Sequence, residues 1–361
     1  MTRGLAFEPD YVVEPGETLQ ELLVGKAMSQ AELARRTGLS TKHVNQLVKG
    51  GASITADTAA RLERALGVPM KIWLALQATH DAGAFRRAEA QDLEADVGWL
   101  KELPVAELIK RGLIAKRAQP VEQLREVLNF FGVANRAAFK ALWNEAVAFR
   151  QSVAYEADPG SVAAWLRIGE LEAGTLSCQP FDRRRFAQAL QEARKLTLIR
   201  DAGVFLSKLQ RLCAAAGVAV VVVEETPRAR VFGAARWLSP EKGLIQLSFR
   251  YKSNDVFWFT FFHEGRHILQ ETKRQTILEG KDTQADDDAE RDADQFAADL
   301  LIPPPHRRRL HDVDTLADAR ALAEELGVAP GIVVGRLHFL ELKPYSWGAN
   351  LKWRYEFTAQ V

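Results

Sequence analysis

The chain has 361 residues, of which 47% are hydrophobic and 26% are charged, and its formal net charge is +1 at pH 7. This composition is typical of a soluble globular protein with two or three domains. It excludes a strongly basic chain, so any nucleic-acid surface must be local. The N-terminus shows no secretion signal, and the apolar runs are much shorter than the roughly 18 residues of a membrane span. A cytoplasmic location without a membrane partner is therefore predicted.

Two short helices joined at a glycine are predicted near the N-terminus. Ser29 begins the first with a capping-box pattern, and Gly38 ends it. Ser40 then caps a second helix over Thr41–Val48. Two helices of this length and spacing are typical of a helix-turn-helix.

The outward face of the second helix carries the candidate DNA-contacting groups. Val44 and Leu47 are predicted to face inward, and the polar residues left outside can meet phosphates and base edges. Between Lys26 and Gly51 there are five basic residues and one acidic residue, a local net charge of +4. A small helical bundle that binds protein is the alternative. The predicted DNA-binding residues are Gln30, Thr41, Lys42, Asn45, Gln46 and Lys49.

This region resembles the HigA-type antitoxins of the repressor-like helix-turn-helix class. The shared motifs are Glu14-Pro15-Gly16-Glu17, Ser29-Gln30-x-Glu32-Leu33-Ala34 and Ile54-Thr55-Ala56-Asp57-Thr58-Ala59-x-Arg61-Leu62. The resemblance implies a five-helix domain over residues 1–85 that binds a double-stranded DNA operator as a homodimer. In many members it also implies a toxin partner, for which the sequence holds no separate sign.

Residues 86–200 have a helical pattern and no catalytic constellation. The aromatic residues of this connecting region, among them Trp99, Trp143, Phe149 and Trp165, are interpreted as packing residues. The predicted helices cover Asp92–Glu102, Val105–Arg111, Pro120–Phe131, Arg136–Phe149, Pro159–Ala173 and Asp182–Arg194.

Residues 201–361 are predicted to form a domain with a small sheet. Val218–Glu225 is a continuous apolar run, typical of a buried strand, and Arg230–Trp237 and Leu244–Phe249 follow as shorter strands. Such a sheet can align an extended substrate along its edge, or it can simply support the helix that follows. Both roles stay open at this point.

The sequence His263-Glu264-Gly265-Arg266-His267 is the strongest chemical motif. Two histidines four residues apart on a helix lie about 6 Å apart on one face, so both imidazoles can bind one ion. Glu264 can then act as general base on a metal-bound water. The pattern also arises by chance, but the apolar run before it predicts a buried helix that supports the metal interpretation.

A second helix provides the third ligand of the predicted Zn²⁺ site. Glu290 begins an acidic stretch with apolar residues at three- and four-residue spacing, and Asp294 lies one turn further on the same face. Asp294 could hold the far nitrogen of a ligand histidine. Asp292 competes for the role of third ligand, yet it lies on another face. The predicted metal ligands are His263, His267 and Glu290.

The block from about Ala219 to Pro305 resembles the ImmA/IrrE family of zinc metallopeptidases. The matching residues are His263, Glu264, His267, Glu290, Ala293, Asp294, Phe296, Ala297, Leu300, Leu301 and Pro303. Arg266 is a departure, because the family usually has a small residue there. The resemblance implies a zincin-like domain with two metal-bearing helices that cuts a helix-turn-helix repressor.

The sequence thus predicts a mostly helical α+β chain in which a zinc endopeptidase is joined to a DNA-binding repressor or antitoxin domain. The protein substrate could be this chain's own N-terminal domain or a separate regulator. The alternative is a repressor whose metal domain senses a ligand or only stabilises the fold. Glu264 favours the enzyme, because a purely structural site has no need of that residue.

Overall fold

The computed structural model describes residues 13–144, 157–270 and 283–355. The chain packs as two compact units. The first ends at Gly98 and also takes in Gln119–Leu124, and the second comprises Trp99–Ala118 and the chain from Arg125 onward. Most of the predicted connecting region therefore packs within the second unit. The three-way division at residues 85 and 200 remains a proposal.

Five helices are described between Val13 and Gly98 in the N-terminal unit, as predicted. They are α1 (Pro15–Gly25), α2 (Gln30–Thr37), α3 (Thr41–Val48), α4 (Ala56–Leu66) and α5 (Met70–Glu94). The predicted caps are confirmed, since the side chains of Ser29 and Ser40 accept hydrogen bonds from the backbone N–H groups of Glu32 and His43 at 3.1 Å. Gly38 ends α2 in the left-handed conformation that favours glycine.

The core of this unit is a single apolar cluster around Trp73. Leu33, Val44 and Leu47 are buried in it, so the inward face predicted for α3 is confirmed. Helix α5 runs without interruption across position 85.

The helices of the connecting region mostly lie where they were predicted. They are α6 (Val105–Lys110), α7 (Pro120–Phe131), α8 (Arg136–Phe139), α9 (Pro159–Thr175) and α10 (Arg183–Leu196). After α8 the chain continues as a π-helical turn, Lys140–Asn144. Phe149 lies outside the described residues. Trp99, Trp143 and Trp165 are buried, so their packing role is confirmed.

The helix predicted over Asp92–Glu102 is wrong. Helix α5 extends to Glu94, and Val97–Glu102 forms a 3₁₀ helix instead. Gly98 disfavours a regular α-helix, and the tighter 3₁₀ turn places Trp99 in the core with 3% of its surface exposed.

The second unit contains a three-stranded sheet of β1 (Val218–Val222), β2 (Gly233–Ser239) and β3 (Lys242–Leu247), preceded by a helix that was not predicted, α11 (Ala202–Ala214). The strand order is β1-β3-β2, with β1 parallel and β2 antiparallel to β3. Strand β2 therefore lies at an edge of this sheet among the described residues.

Four more α-helices follow among the described residues: α12 (Asn254–Gln270), α13 (Thr283–Leu301), α14 (Leu316–Leu326) and α15 (Pro330–Phe339). The last two pack against each other. The chain then folds back onto α12, where Trp258 donates a hydrogen bond from Nε1 to the Tyr355 hydroxyl at 3.0 Å. None of the described helices combines the length and apolar character that a bilayer crossing requires.

Candidate metal centre and nucleic-acid interface

Helix α12 is held in place by its aromatic residues. Trp258, Phe261 and Phe262 have no exposed surface, and Ile268 continues the buried face beyond the histidines. Burying several large side chains stabilises a helix by several kcal/mol, at about 25 cal/mol per Å² of apolar surface. The histidine motif is thus carried by a rigid element, as its flanking sequence predicted.

The three predicted ligands converge in the structure. Nε2 of His263 and Nε2 of His267 lie 3.0 Å apart. The Glu290 carboxylate reaches across from α13, with one oxygen 3.1 Å from Nε2 of His263 and the other 3.3 Å from Nε2 of His267. Among the described residues, these three form the group of side chains able to hold a metal ion.

This donor set fits zinc. With metal–ligand bonds of about 2.0–2.2 Å in a tetrahedron, neighbouring ligand atoms lie about 3.3 Å apart, close to the separations found here. Two imidazole nitrogens and one carboxylate are also the donor set of a catalytic zinc site with one position left open. Such a site requires neutral histidines and an ionised glutamate.

Asp294 contacts the ring nitrogen of His263 that does not face the other two candidate ligands. Its Oδ1 lies 2.9 Å from Nδ1 of His263, which leaves Nε2 directed at the ligand group. Burial lowers the pKa of His263, but hydrogen bonds to Asp294 and Glu290 outweigh it and raise that pKa to about 9. Burial raises the pKa of Glu290, but the hydrogen bonds with both histidines outweigh burial and hold this pKa well below its usual value.

Asp292 makes different contacts. It accepts hydrogen bonds from Nε of Arg266 at 2.7 Å and from Gln270, on a face away from the ligands. Arg266 also lies over the Phe296 ring at 5.3 Å and is not among the residues that line the cleft described below. Its bulk therefore does not narrow that cleft.

Glu264 is 3% exposed and lies against the start of β2. A Cβ atom at Gly233 would come within 2.9 Å of Oε1 of Glu264 and 2.6 Å of the Thr260 methyl group. Gly233 thus leaves the space in which the Glu264 side chain lies, a close approach that only glycine permits.

A cleft of about 780 Å³ opens beside the ligand group. Glu264 lines it together with His263, Glu290 and Asp294. Residues 230–233 at the start of β2, one side of α15 and the C-terminal segment also line it. The site therefore combines a metal-ligand set, a buried carboxylate beside it and a space large enough for a peptide segment.

The nucleic-acid candidates lie on α2 and α3. Thr41, Lys42, Gln46 and Lys49 are exposed, as predicted. Asn45 is half-buried and donates from Nδ2 to Oε1 of Gln30 at 3.2 Å, so these two amides link the helices. Both can still offer polar atoms outward, since each amide has further donor or acceptor capacity.

The basic residues of this face differ in their partners. Glu32 forms ion pairs with both Arg35 and Arg36. Its pKa is lowered mainly by the hydrogen bond from Arg36 and next by the charge of Arg35. Lys42 and Lys49 have no ion pair among the described residues. Positive charge free for phosphate is thus concentrated on α3.

Two family models match the chain. Residues 19–73 match the helix-turn-helix model, and residues 223–338 match the model of the IrrE N-terminal-like domain. The chain joins a helix-turn-helix DNA-binding domain to an IrrE-like peptidase domain. The first match covers α1 to α4 and the start of α5, and the second covers the metal centre from β2 to α15.

Individual proteins resemble the helix-turn-helix domain. Virulence-associated protein I of Dichelobacter nodosus is 37% identical over 70 residues, 19% of this chain and 65% of the relative's own length. An addiction module antidote protein of the HigA family from Coxiella burnetii is 34% identical and covers 23% of this chain and 92% of its own, with a TM-score of 0.22. The antitoxin HigA of Pseudomonas aeruginosa, solved with the higBA promoter, is 31% identical, covers 24% and 94%, and has a TM-score of 0.23.

Several cleft residues of the IrrE-like domain were not predicted from the sequence. Gly233 and Arg336 are the chief examples, and Phe339 and Tyr345 line the same cleft.

Proposed function

We propose that the IrrE-like domain is a zinc-dependent endopeptidase that cuts a helix-turn-helix repressor-type protein, either another chain or its own N-terminal domain. The observation that supports this most directly is the convergence of His263, His267 and Glu290 within 3.0–3.3 Å, beside a buried carboxylate that is not one of them. A metal site that only stabilises the fold has no use for Glu264 or for an open cleft.

The chain's own residues account for the proton transfers. Zinc, when bound, supplies a Lewis acid that lowers the pKa of water to about 7 and polarises a peptide carbonyl. Glu264 accepts the proton of the attacking water and returns it to the nitrogen of the departing chain. Asp294 keeps His263 in the tautomer that directs Nε2 at the ligand group.

The chain at the start of β2 can orient the substrate. Val231, Phe232 and Gly233 line the cleft where this edge strand begins. An extended peptide pairing there would place its backbone beside Glu264. This is our proposal for the role of the sheet, besides its packing support for α12.

Metal-dependent cutting tests the proposed function. The zinc-loaded chain would be incubated with itself and with a panel of helix-turn-helix proteins, with and without a chelator, and new chain ends identified by mass spectrometry. We expect a defined cut that chelation abolishes and added zinc restores. If no protein is cut, in solution or in cells under any stress tried, a ligand-sensing repressor becomes the better account.

We further propose that the helix-turn-helix domain binds an inverted-repeat DNA operator as a homodimer in the cytoplasm. Exposed Lys42 and Lys49 would contact phosphates, and Thr41, Asn45, Gln46 and Gln30 would face base edges or position those that do. A toxin partner is a further proposal, implied by the resemblance to antitoxins alone.

Lys42→Gln is expected to weaken operator binding and its salt dependence together. Each phosphate contact contributes about 0.9 to the slope of log K against log salt, so a dimer losing two contacts should lose about 1.8. Binding isotherms at several salt concentrations would measure this. Arg64→Gln, which removes the same charge from an exposed position on α4, is the matched control. Equal slopes for wild type and Lys42→Gln would refute the phosphate role.

A further inference from the structure

The cleft beside the metal centre contains a cation that the proposed chemistry does not use. Arg336 projects from α15, is half-buried, and lines the cleft together with His263 and Glu264. Burial lowers the pKa of Arg336, with Arg307 adding to this effect and Asp294 opposing it. A guanidinium group stays charged even so, and its partial burial therefore costs solvation that a partner can offset.

Several other charged groups of the cleft have partners among the described residues. Lys352 lies 2.7 Å from Asp255, and Asp294 and Glu290 are held by His263. The guanidinium of Arg336, by contrast, makes no ion pair or hydrogen bond with any described residue. Its guanidinium lies over the Phe339 ring, with Cζ 5.0 Å from the ring centroid.

Exposed aromatic rings line the same cleft as this cation. Tyr251, Phe339 and Tyr345 are 64%, 67% and 78% exposed, and all three line the cleft. Large rings left open to water beside a deep site are typical of surfaces that pack against apolar side chains of a ligand. The cleft thus offers apolar contacts and a half-buried guanidinium that no described carboxylate pairs with.

We propose that Arg336 determines substrate specificity by binding a carboxylate of the peptide, so that the IrrE-like domain selects segments in which an acidic group accompanies apolar side chains. This inference rests on the proposed peptidase function, because it names the substrate class of that same site. Guanidinium and carboxylate match in a planar, two-point geometry that lysine does not reproduce. The group bound can be an Asp or Glu side chain or a chain terminus.

The test uses zinc-loaded Glu264→Gln protein, so that peptides bind without being cut. The probes are fluorescent peptides of about twelve residues rich in Leu and Phe, with Glu, Gln or Lys at each position in turn. Each is made with a free and with an amidated C-terminus, and wild-type protein cuts the same set. We expect Glu-containing peptides to bind on the order of tenfold or more tightly than their Gln counterparts. If the free terminus alone gives this gain, the carboxylate is terminal.

Variants at Arg336 separate recognition from general charge. Arg336→Glu should reverse the preference towards Lys-containing peptides, and Arg336→Lys should keep a reduced preference for Glu. Arg354→Gln removes one charge from an exposed position in the same cleft and should leave the preference intact. If Arg336 were only structural, Arg336→Glu would not reverse the preference between Glu-containing and Lys-containing peptides, because a misfolded cleft binds neither class of peptide.

The outcomes distinguish this inference from the proposed function. If acidic peptides bind through Arg336 and wild-type protein cuts none, the inference holds and the peptidase proposal fails. The proposed role of Arg336 in substrate specificity is overturned if no peptide binds, if Glu and Gln peptides bind equally, or if Arg336→Glu keeps the preference of the wild type. An equal loss of preference in Arg354→Gln would overturn it as well.

Discussion

Glu264→Gln is expected to lower the rate of substrate cleavage by a factor on the order of a hundred or more. The amide keeps the size of the side chain and most of its hydrogen bonding, but it cannot accept the proton of the attacking water. Glu264 lies outside the ligand group, so the protein should still fold and still hold zinc. The loss should therefore fall on turnover, while substrate binding changes little.

The measurement compares zinc content, melting temperature and cleavage rate for wild type and Glu264→Gln. Glu264→Asp is the matched control, because it keeps a carboxylate on a shorter side chain and should retain more activity than the amide. Gly233→Ala gives a second comparison, since its methyl group would press on Oε1 of Glu264. A Glu264→Gln protein that cuts as fast as wild type would show that this carboxylate is not the base.

Local sequence was sufficient to predict which three side chains converge at the candidate metal centre. The pair His263 and His267 follows from helical spacing alone, and the position of Glu290 follows because α13 was expected to be amphipathic. The structure brings these residues to 3.0–3.3 Å of one another. Helix caps at Ser29 and Ser40 were predictable for the same reason, since capping depends on neighbours a few residues away.

Residues brought together by tertiary packing could not be predicted in this way. Nothing in the sequence near Arg336 shows that this residue of α15 lines the cleft beside α12. Gly233 was included in a predicted strand without a role, because its importance depends on where Glu264 lies. Helix α11 was not predicted, although Phe205, Leu209 and Cys213 have the spacing of a buried helical face.

Removing a proposed metal ligand is expected to have the largest effect on the zinc content of the protein. Wild-type protein should hold about one zinc per chain, and His263→Ala and Glu290→Ala should each hold close to none after dialysis against submicromolar zinc. Two protein ligands are too few for a stable tetrahedral zinc site, so the side chains that remain in each variant no longer bind the ion. Bound zinc also stabilises the folded state, by about 2.7 kcal/mol when its concentration is a hundred times Kd. The zinc-dependent rise in melting temperature should therefore disappear in both variants.

Two neighbouring carboxylates provide graded controls for elemental analysis and thermal melts. Asp292→Ala breaks the contact with Arg266 and leaves the ligands untouched, so zinc content should match wild type. Asp294→Ala removes the partner of His263 Nδ1 and should weaken zinc affinity by about ten- to a hundredfold without abolishing it. Zinc content is therefore expected to be highest in wild type and Asp292→Ala, lower in Asp294→Ala and lowest in Glu290→Ala. This order follows because some of these side chains would contact the ion and others would only position those that do. Unchanged zinc content in both His263→Ala and Glu290→Ala would refute this ligand set, and loss of zinc in Asp292→Ala alone would assign the third ligand to Asp292 instead.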